Sequence, residues 1–138
     1  MKTRIAIIGA GMGGLAAAAA LQTFGFEVRV YEQAERFTRL GAGIQMSPNA
    51  IRALRGLGLE SAVRRCAFQP GTWSNRDGSS GAMKFELPLG RDAEERYGAP
   101  YLQMHRGDLH EVLLSALPAA VVIRGKQLVE TAAVAGGG

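Results

Sequence analysis

Six consecutive residues near the amino terminus, Gly9-Ala10-Gly11-Met12-Gly13-Gly14, put glycines where a backbone can wrap a pyrophosphate. They follow the apolar run Ile5-Ala6-Ile7-Ile8 and precede the helix-forming run from Leu15 to Leu21. In such a strand, turn and helix, Gly9 permits the tight turn, Gly11 lets the backbone approach the pyrophosphate, and Gly14 lets the helix pack closely on the strand. The phosphates then sit at the helix N-terminus, where unpaired N–H groups and the macrodipole favour anions. Glu27-Val28-Arg29-Val30-Tyr31-Glu32 reads as a second strand, and it ends in an acid about 20 residues beyond the glycines, the spacing of a ribose-binding carboxylate. A glycine pattern alone says little. The glycines inside a full βαβ context predict a dinucleotide-binding unit.

The elements around this turn decide between it and a rival. Lys2 and Arg4 before an apolar stretch that ends in alanines have the outline of a secretory signal peptide. Gly9, Gly11, Gly13 and Gly14 would interrupt a signal-peptide helix, yet they stand where a dinucleotide fold uses them, so the dinucleotide reading prevails. The same stretch is too glycine-rich, and continues into too polar a strand, for a membrane span, and no stable membrane association is expected. The 138 residues suffice for one domain and for burial of roughly two thirds of the unfolded surface, with no room for a second large domain. Sixteen basic against twelve acidic side chains give a net charge of +4. The arginines are scattered, which points to a solvated surface with mild attraction for phosphates and not to a nucleic-acid patch. Cys66 is the only cysteine; an internal disulfide is excluded and a reducing, cytoplasmic setting is expected. His105 and His110 lack metal-ligand spacing, so no metal is expected.

Further along, Ser47-Pro48 opens a predicted helix with Ser47 as N-cap and Pro48 at the first helical position, where its missing N–H costs nothing. Ile51, Leu54 and Gly58 fall on one face, and Gly56 and Gly58 supply the stop. Leu59, Val63 and Cys66 repeat at helical spacing, and Cys66 there reads as a packing residue and not a nucleophile. Thr72 to Asn75 and Met83 to Leu87 flank the turn-rich Asp77-Gly78-Ser79-Ser80-Gly81, which predicts a β-hairpin. The hairpin interrupts the α/β alternation and is expected to face substrate or a second sheet; Trp73 within it reads as core. Tyr101 to Met104 predicts a strand, and Leu109, Val112, Leu113 and Ala116 predict a helix before Pro118. Arg106, at the start of that helix, opposes the macrodipole by about 0.3–1 kcal/mol. Either Asp108 or a cofactor phosphate should offset it. Val121-Val122-Ile123 and Gln127-Leu128-Val129 read as strand material.

Three separated segments together resemble the single-component FAD-dependent aromatic hydroxylases, which include salicylate and 6-hydroxynicotinate monooxygenases. They are the glycine turn with Glu32-Gln33, the stretch from Arg39 to Ala50 with its Gly41-Ala42-Gly43-Ile44-Gln45-Met46-Ser47-Pro48 core, and Tyr101 to His110 with His105-Arg106-Gly107-Asp108-Leu109. The stretch Trp73 to Tyr101 is most similar to the 6-hydroxynicotinate 3-monooxygenase branch. The resemblance implies Gly9, Gly11, Gly13 and Gly14 at the FAD pyrophosphate, Glu32 on the adenosine ribose and Gln33 beside it. It implies Arg106 reaching FAD, Leu128 meeting the adenine end through its backbone, and Gly41 to Ile44, Gly43 included, passing close to the isoalloxazine. The pyridine-hydroxylating branch has a histidine, assigned to substrate deprotonation, where this chain has Gln45. Glutamine cannot act as a base near neutral pH, but it can hydrogen-bond substrate or flavin, so Gln45 is the one candidate for a substrate-facing position.

The expected fold is therefore α/β, a Rossmann-like FAD-binding βαβ domain over residues 1–131 with an inserted β-hairpin, followed by a disordered tail over 132–138. Members of the resembled family run to roughly three times this length, so the chain reads as an amino-terminal portion that stops before the second flavin motif and most of the substrate domain. The resemblance implies an NAD(P)H-dependent monooxygenase that hydroxylates an aromatic or N-heteroaromatic ring with molecular oxygen. This chain would supply mainly the FAD cradle, would need the missing C-terminal segment, and would not turn over alone. The rival readings are a non-catalytic FAD- or NAD-binding module, resting on the glycine turn alone, and a structural fragment that folds only with a partner segment.

Overall fold

The computed structural model describes residues 3–39 and 41–133. Its elements in chain order are β1 (Arg4–Ile8), α1 (Met12–Thr23), β2 (Glu27–Glu32), β3 (Gly43–Met46), α2 (Pro48–Gly56), α3 (Glu60–Cys66), β4 (Thr72–Arg76), β5 (Met83–Pro88), α4 (Arg91–Tyr97), β6 (Leu102–His105), α5 (Arg106–Ser115) and β7 (Val122–Arg124), the last preceded by a 3-10 turn at Ala119–Val121. They divide into two compact units, one of Met1–Thr38 with Leu113–Gly138 and one of Arg39–Val112.

In the first unit β1 and β2 run parallel, from Arg4↔Glu27 to Ile8↔Tyr31, and β7 adds in parallel to β2. A parallel pair needs a crossover, and α1 supplies it. Val28 and Val30 point to the buried side with Leu15, Ala18 and Ala19; the small alanines let the helix lie close to the sheet. On the opposite side Arg4, Ile8, Glu27 and Arg29 are exposed. The strand expected over Gln127 to Val129 does not form. Gly125 takes a φ of +68° and turns the chain out of the sheet after the last pair, Glu32↔Arg124, so Leu128 lies in an irregular segment and is 48% exposed. Of the tail, residues 134–138 lie outside the described residues, and Ala132 and Ala133 carry no regular element.

The second unit is larger than an inserted hairpin. It holds an antiparallel pair, β3 with β6, a second antiparallel pair, β4 with β5, the short helices α2, α3 and α4, and most of α5. Ile51, Leu54, Val63, Ala93, Leu102 and Met104 form its apolar interior. Helix α2 starts as expected at Pro48, but Ser47 places its hydroxyl on the Asn49 side chain and makes no side-chain cap to a helix backbone N–H. Glu60 ties the helices together at the surface, accepting from Arg55 and Arg64, while Arg64 also reaches Glu94. Helix α4, which the sequence reading had not anticipated, ends at Gly98 with φ +70°.

Two expected core residues lie at the surface. Cys66 ends α3, so its side chain escapes the buried stripe of Val63; the residue is exposed and its thiol donates to the Ala62 and Val63 carbonyls at 3.4 Å. Partial desolvation pushes that thiol up from its ordinary pKa, and its exposure does not fit the expected packing role. Trp73 is 54% exposed. The hairpin forms as expected, yet every residue of β4 and β5 is exposed. Trp73↔Leu87 and Asn75↔Phe85 are direct cross-strand pairs, so Trp73, Phe85 and Leu87 share one apolar face by strand alternation. There Trp73 meets Phe85 edge-on, with centroids 6.0 Å apart.

Candidate cofactor site

Strand β1 ends at Ile8, and Gly9 continues its ladder by donating to the Tyr31 carbonyl at 2.8 Å while taking a φ of +96°, a conformation a Cβ would strain. The chain then enters α1 through Gly11 as N-cap, with no side-chain cap and no acidic residue in the first turn. The first N–H groups of a helix have no intrahelical partner, so this end presents backbone donors with no acidic side chain from the helix's own first turn. Gly14 has a different reason to be glycine. A Cβ there would sit 2.0 Å from the Gly9 carbonyl oxygen and 3.3 Å from Ile7 Cγ2, so the residue sets the helix-to-strand approach. At Gly11 and Gly13 a Cβ would meet nothing within 4 Å. Their bareness serves no internal packing and leaves the space beside the helix end open.

Glu32 closes β2 and bridges to this turn. Its Oε2 accepts the Ala10 N–H at 2.7 Å and its Oε1 accepts the Ala34 N–H at 2.9 Å. These charge-assisted bonds to backbone fix the carboxylate beside the glycines. The sequence reading assigned Glu32 to a ribose and missed this internal role, which the spacing could not reveal. Gln33 follows, exposed in a bend. Lys126 donates its N–H to the Glu32 carbonyl at 2.8 Å, which places Leu128 two residues beyond that anchor.

In the second unit, β3 and β6 pair as Gly43↔His105, Ile44↔Met104, Gln45↔Gln103 and Met46↔Leu102. Directly opposed residues share a face. Ile44, Met46, Leu102 and Met104 make the inner face, and Gly43, Gln45, Gln103 and His105 make an outer face on which Gln45 is exposed. Gln103 and His105 were not singled out as candidates from sequence. The alternation of Leu102 and Met104 with Gln103 and His105 is the signal that finds them.

Arg106 is the first residue of α5 and is exposed. Its N–H donates to the Ala42 carbonyl at 3.2 Å. Gly41, at φ +141°, makes room for its stem: a Cβ there would lie 3.3 Å from Arg106 Cβ and Cδ. The acid expected within the chain does not serve it. Asp108 is engaged by Arg39 at 2.7 Å, and Arg106 forms no ion pair among the described residues. Gly107 is hemmed in, since a Cβ would come 2.7 Å from Arg39 Cγ and 3.0 Å from His105 Nδ1. Among the described residues no three His, Cys, Asp or Glu side chains cluster as metal ligands, and no helix is long and apolar enough to cross a membrane.

The NAD(P)-binding Rossmann-like domain matches residues 7–45. The chain is 48% identical over 127 residues to 6-hydroxynicotinate 3-monooxygenase of Bordetella bronchiseptica, covering 92% of this chain and 33% of that one. It is 46% identical over 123 residues to 3-amino-4-hydroxybenzoate 2-monooxygenase of Streptomyces cremeus, covering 89% and 31%. Among solved structures, Klebsiella pneumoniae HpxO complexed with FAD and uric acid superposes with a TM-score of 0.79 at 28% identity, over 91% of this chain and 31% of that one. The tetrameric form of 2-methyl-3-hydroxypyridine-5-carboxylic acid oxygenase gives 0.77 at 26%, over 90% and 32%. The chain thus spans about a third of the length of the relatives it matches. Over about nine-tenths of its own length it is similar to monooxygenases named for 6-hydroxynicotinate and 3-amino-4-hydroxybenzoate and to a structure complexed with FAD.

Proposed function

We propose that this chain is the FAD-binding portion of an NAD(P)H-dependent monooxygenase that hydroxylates a small aromatic or N-heteroaromatic ring. The observation that carries the reading is Arg106, a cation at a helix N-terminus whose neighbouring acid is taken by Arg39. A positive charge at that position is unfavourable by about 0.3–1 kcal/mol unless an anion offsets it. A cofactor phosphate is such an anion.

The residues fit the cofactor. The bare backbone at Gly11 and Gly13, with the uncapped start of α1, suits a pyrophosphate. Glu32, already oriented by Ala10 and Ala34, is chemically able to accept from ribose hydroxyls as well, since a carboxylate accepts more than two hydrogen bonds. By the resemblance, Gln33 and Leu128 in the first unit are assigned to the adenosine end of FAD; within the second unit Gly41, Gly43 and Arg106 are assigned to contacts with FAD. When bound, FAD supplies electron transfer from NADH or NADPH to molecular oxygen and transfer of one oxygen atom to the ring. The chain's own groups bind and orient. Gln45 and Gln103 present amides that can hold a ring substituent, but neither can take a proton near neutral pH, so any deprotonation of substrate is assigned elsewhere in a complete enzyme. The match of residues 7–45 to an NAD(P)-binding domain favours one second reading, a nicotinamide dinucleotide at the same turn.

Equilibrium titration of the chain and of Arg106→Ala with FAD tests the proposal. A charge-assisted contact to a phosphate makes the variant weaker by roughly tenfold. Equal affinities would remove Arg106 from the site.

A further inference from the structure

Strand β6 ends at His105 and α5 begins at Arg106, with no residue between them. The direction in which Arg106 leaves the chain is therefore set by the geometry of this one turn. Three contacts define it. The Arg106 N–H donates to the Ala42 carbonyl at 3.2 Å, Arg39 pairs with Asp108 at 2.7 Å, and the Gly107 N–H donates to His105 Nδ1 at 3.0 Å. The last contact makes His105 a side-chain N-cap, holding the N–H of the second helical residue as a Ser or Asn oxygen does. An imidazole nitrogen accepts only when it carries no proton, so the bond requires neutral His105 with its hydrogen on Nε2.

We propose that neutral His105 is a positioning residue for Arg106: its Nδ1 caps the first turn of α5 and fixes the turn from which the guanidinium reaches FAD. The proposal rests on the FAD reading above. Protonation removes the lone pair on Nδ1, turns an acceptor towards the Gly107 N–H into a second donor, and adds a cation at a helix N-terminus. The charged groups on α5 near the turn are Arg106 and Asp108, with His110 and Glu111 further along the helix, and the segment before β3 contributes Arg39. Asp108 is already engaged by Arg39. β3, paired opposite β6, brings only Gly43, Ile44 and Gln45 to this end. Gly107 completes the device, because a side chain there would occupy the place of the His105 ring and the Arg39 stem.

The test titrates the chain, His105→Asn and His105→Ala with FAD at about pH 7.5 and pH 5.5, across the range in which imidazoles gain their proton. The wild-type chain should lose about fivefold in FAD affinity on acidification, the factor an N-cap is worth. His105→Asn, whose amide oxygen accepts the Gly107 N–H at both pH values, should rescue binding at pH 5.5, and His105→Ala should be weak at both. His110 is present in all three and cancels. Parallel losses in wild type and His105→Asn, or a flat wild-type profile, would overturn the proposal. If none of the three binds FAD at either pH, the cofactor reading fails and the positioning role fails with it. Exchange of the Gly107 amide in the free chain then judges the cap alone: loss of protection at pH 5.5 in wild type but not in His105→Asn keeps it, and equal protection removes it.

Discussion

The carboxylate of Asp108 meets the guanidinium of Arg39 at 2.7 Å. Two residues earlier on the same helix, Arg106 sets its charge against the positive end of the helix dipole and forms no ion pair among the described residues. Removing that charge should relieve the free chain. Arg106→Ala is expected to unfold in urea at equal or higher denaturant, by up to about 1 kcal/mol, while FAD binding weakens. A loss of stability in the absence of FAD would show that Arg106 serves the fold.

The glycine turn separates into two kinds of glycine, and substitution should separate them too. At Gly14 a Cβ would strike the Gly9 carbonyl at 2.0 Å, whereas at Gly13 it would meet nothing within 4 Å. Gly14→Ala should destabilise by about 1–3 kcal/mol, the range for overpacking. Gly13→Ala should keep or gain stability, since alanine is the better helix former by about 1 kcal/mol, yet it should lose FAD affinity because the added methyl enters the space proposed for the pyrophosphate. Urea unfolding and FAD titration of the two variants read both effects, and equal stability losses would contradict the assignment.

These glycines show how much of the fold was legible in the sequence. The strand, turn, helix and second strand announce themselves because local periodicity and backbone freedom both demand them, and β2 forms over the residues expected, Glu27–Glu32. The hairpin was legible for the same reason, since Asp77 to Gly81 can only turn. What failed was burial. Trp73 reads as core by composition, but its exposure depends on what packs against β4 and β5, and sequence carries no trace of that. β3 was hidden because Gly41 and Gly43 mask the short strand Gly43–Met46, which forms through its partner β6. In the candidate site, Glu32 and Arg106 were singled out by spacing and position. The choice of Asp108 for Arg39 over Arg106 is a matter of tertiary geometry, and the cap by His105 depends on a side-chain rotamer that spacing does not set.

Glu32 has a second role that can be measured without any ligand. Its two bonds to the Ala10 and Ala34 N–H groups are charge-assisted and partly buried, a class worth about 1.5–3 kcal/mol each. Glu32→Ala should therefore lower the unfolding free energy of the free chain by at least about 1.5 kcal/mol. Unchanged stability in urea would mean that solvent replaces both bonds at no cost.

Asp77 predicts how the hairpin responds to acid. The Ser79 hydroxyl, the Ser80 N–H, Lys84 and the Ser79 N–H hold its carboxyl well below the usual carboxylate range. A carboxyl depressed in the folded state contributes stability above its unfolded pKa and loses it as pH falls through the folded value. The turn should therefore persist from about pH 7 to pH 4 and loosen only in stronger acid, while Asp77→Ala loosens it throughout. Near-ultraviolet circular dichroism of Trp73, held against Phe85 across the hairpin, reports the difference; wild-type loosening between pH 7 and pH 4 would contradict it.

The most direct measurement for the central claim is the melting temperature of this chain against FAD concentration, with NAD as the control and flavin fluorescence followed in parallel. An FAD cradle predicts a saturable shift specific to FAD, equivalent to about 2.7 kcal/mol at a hundred times the dissociation constant. A folded chain whose melting temperature is unmoved by FAD, or moved equally by NAD, would contradict it.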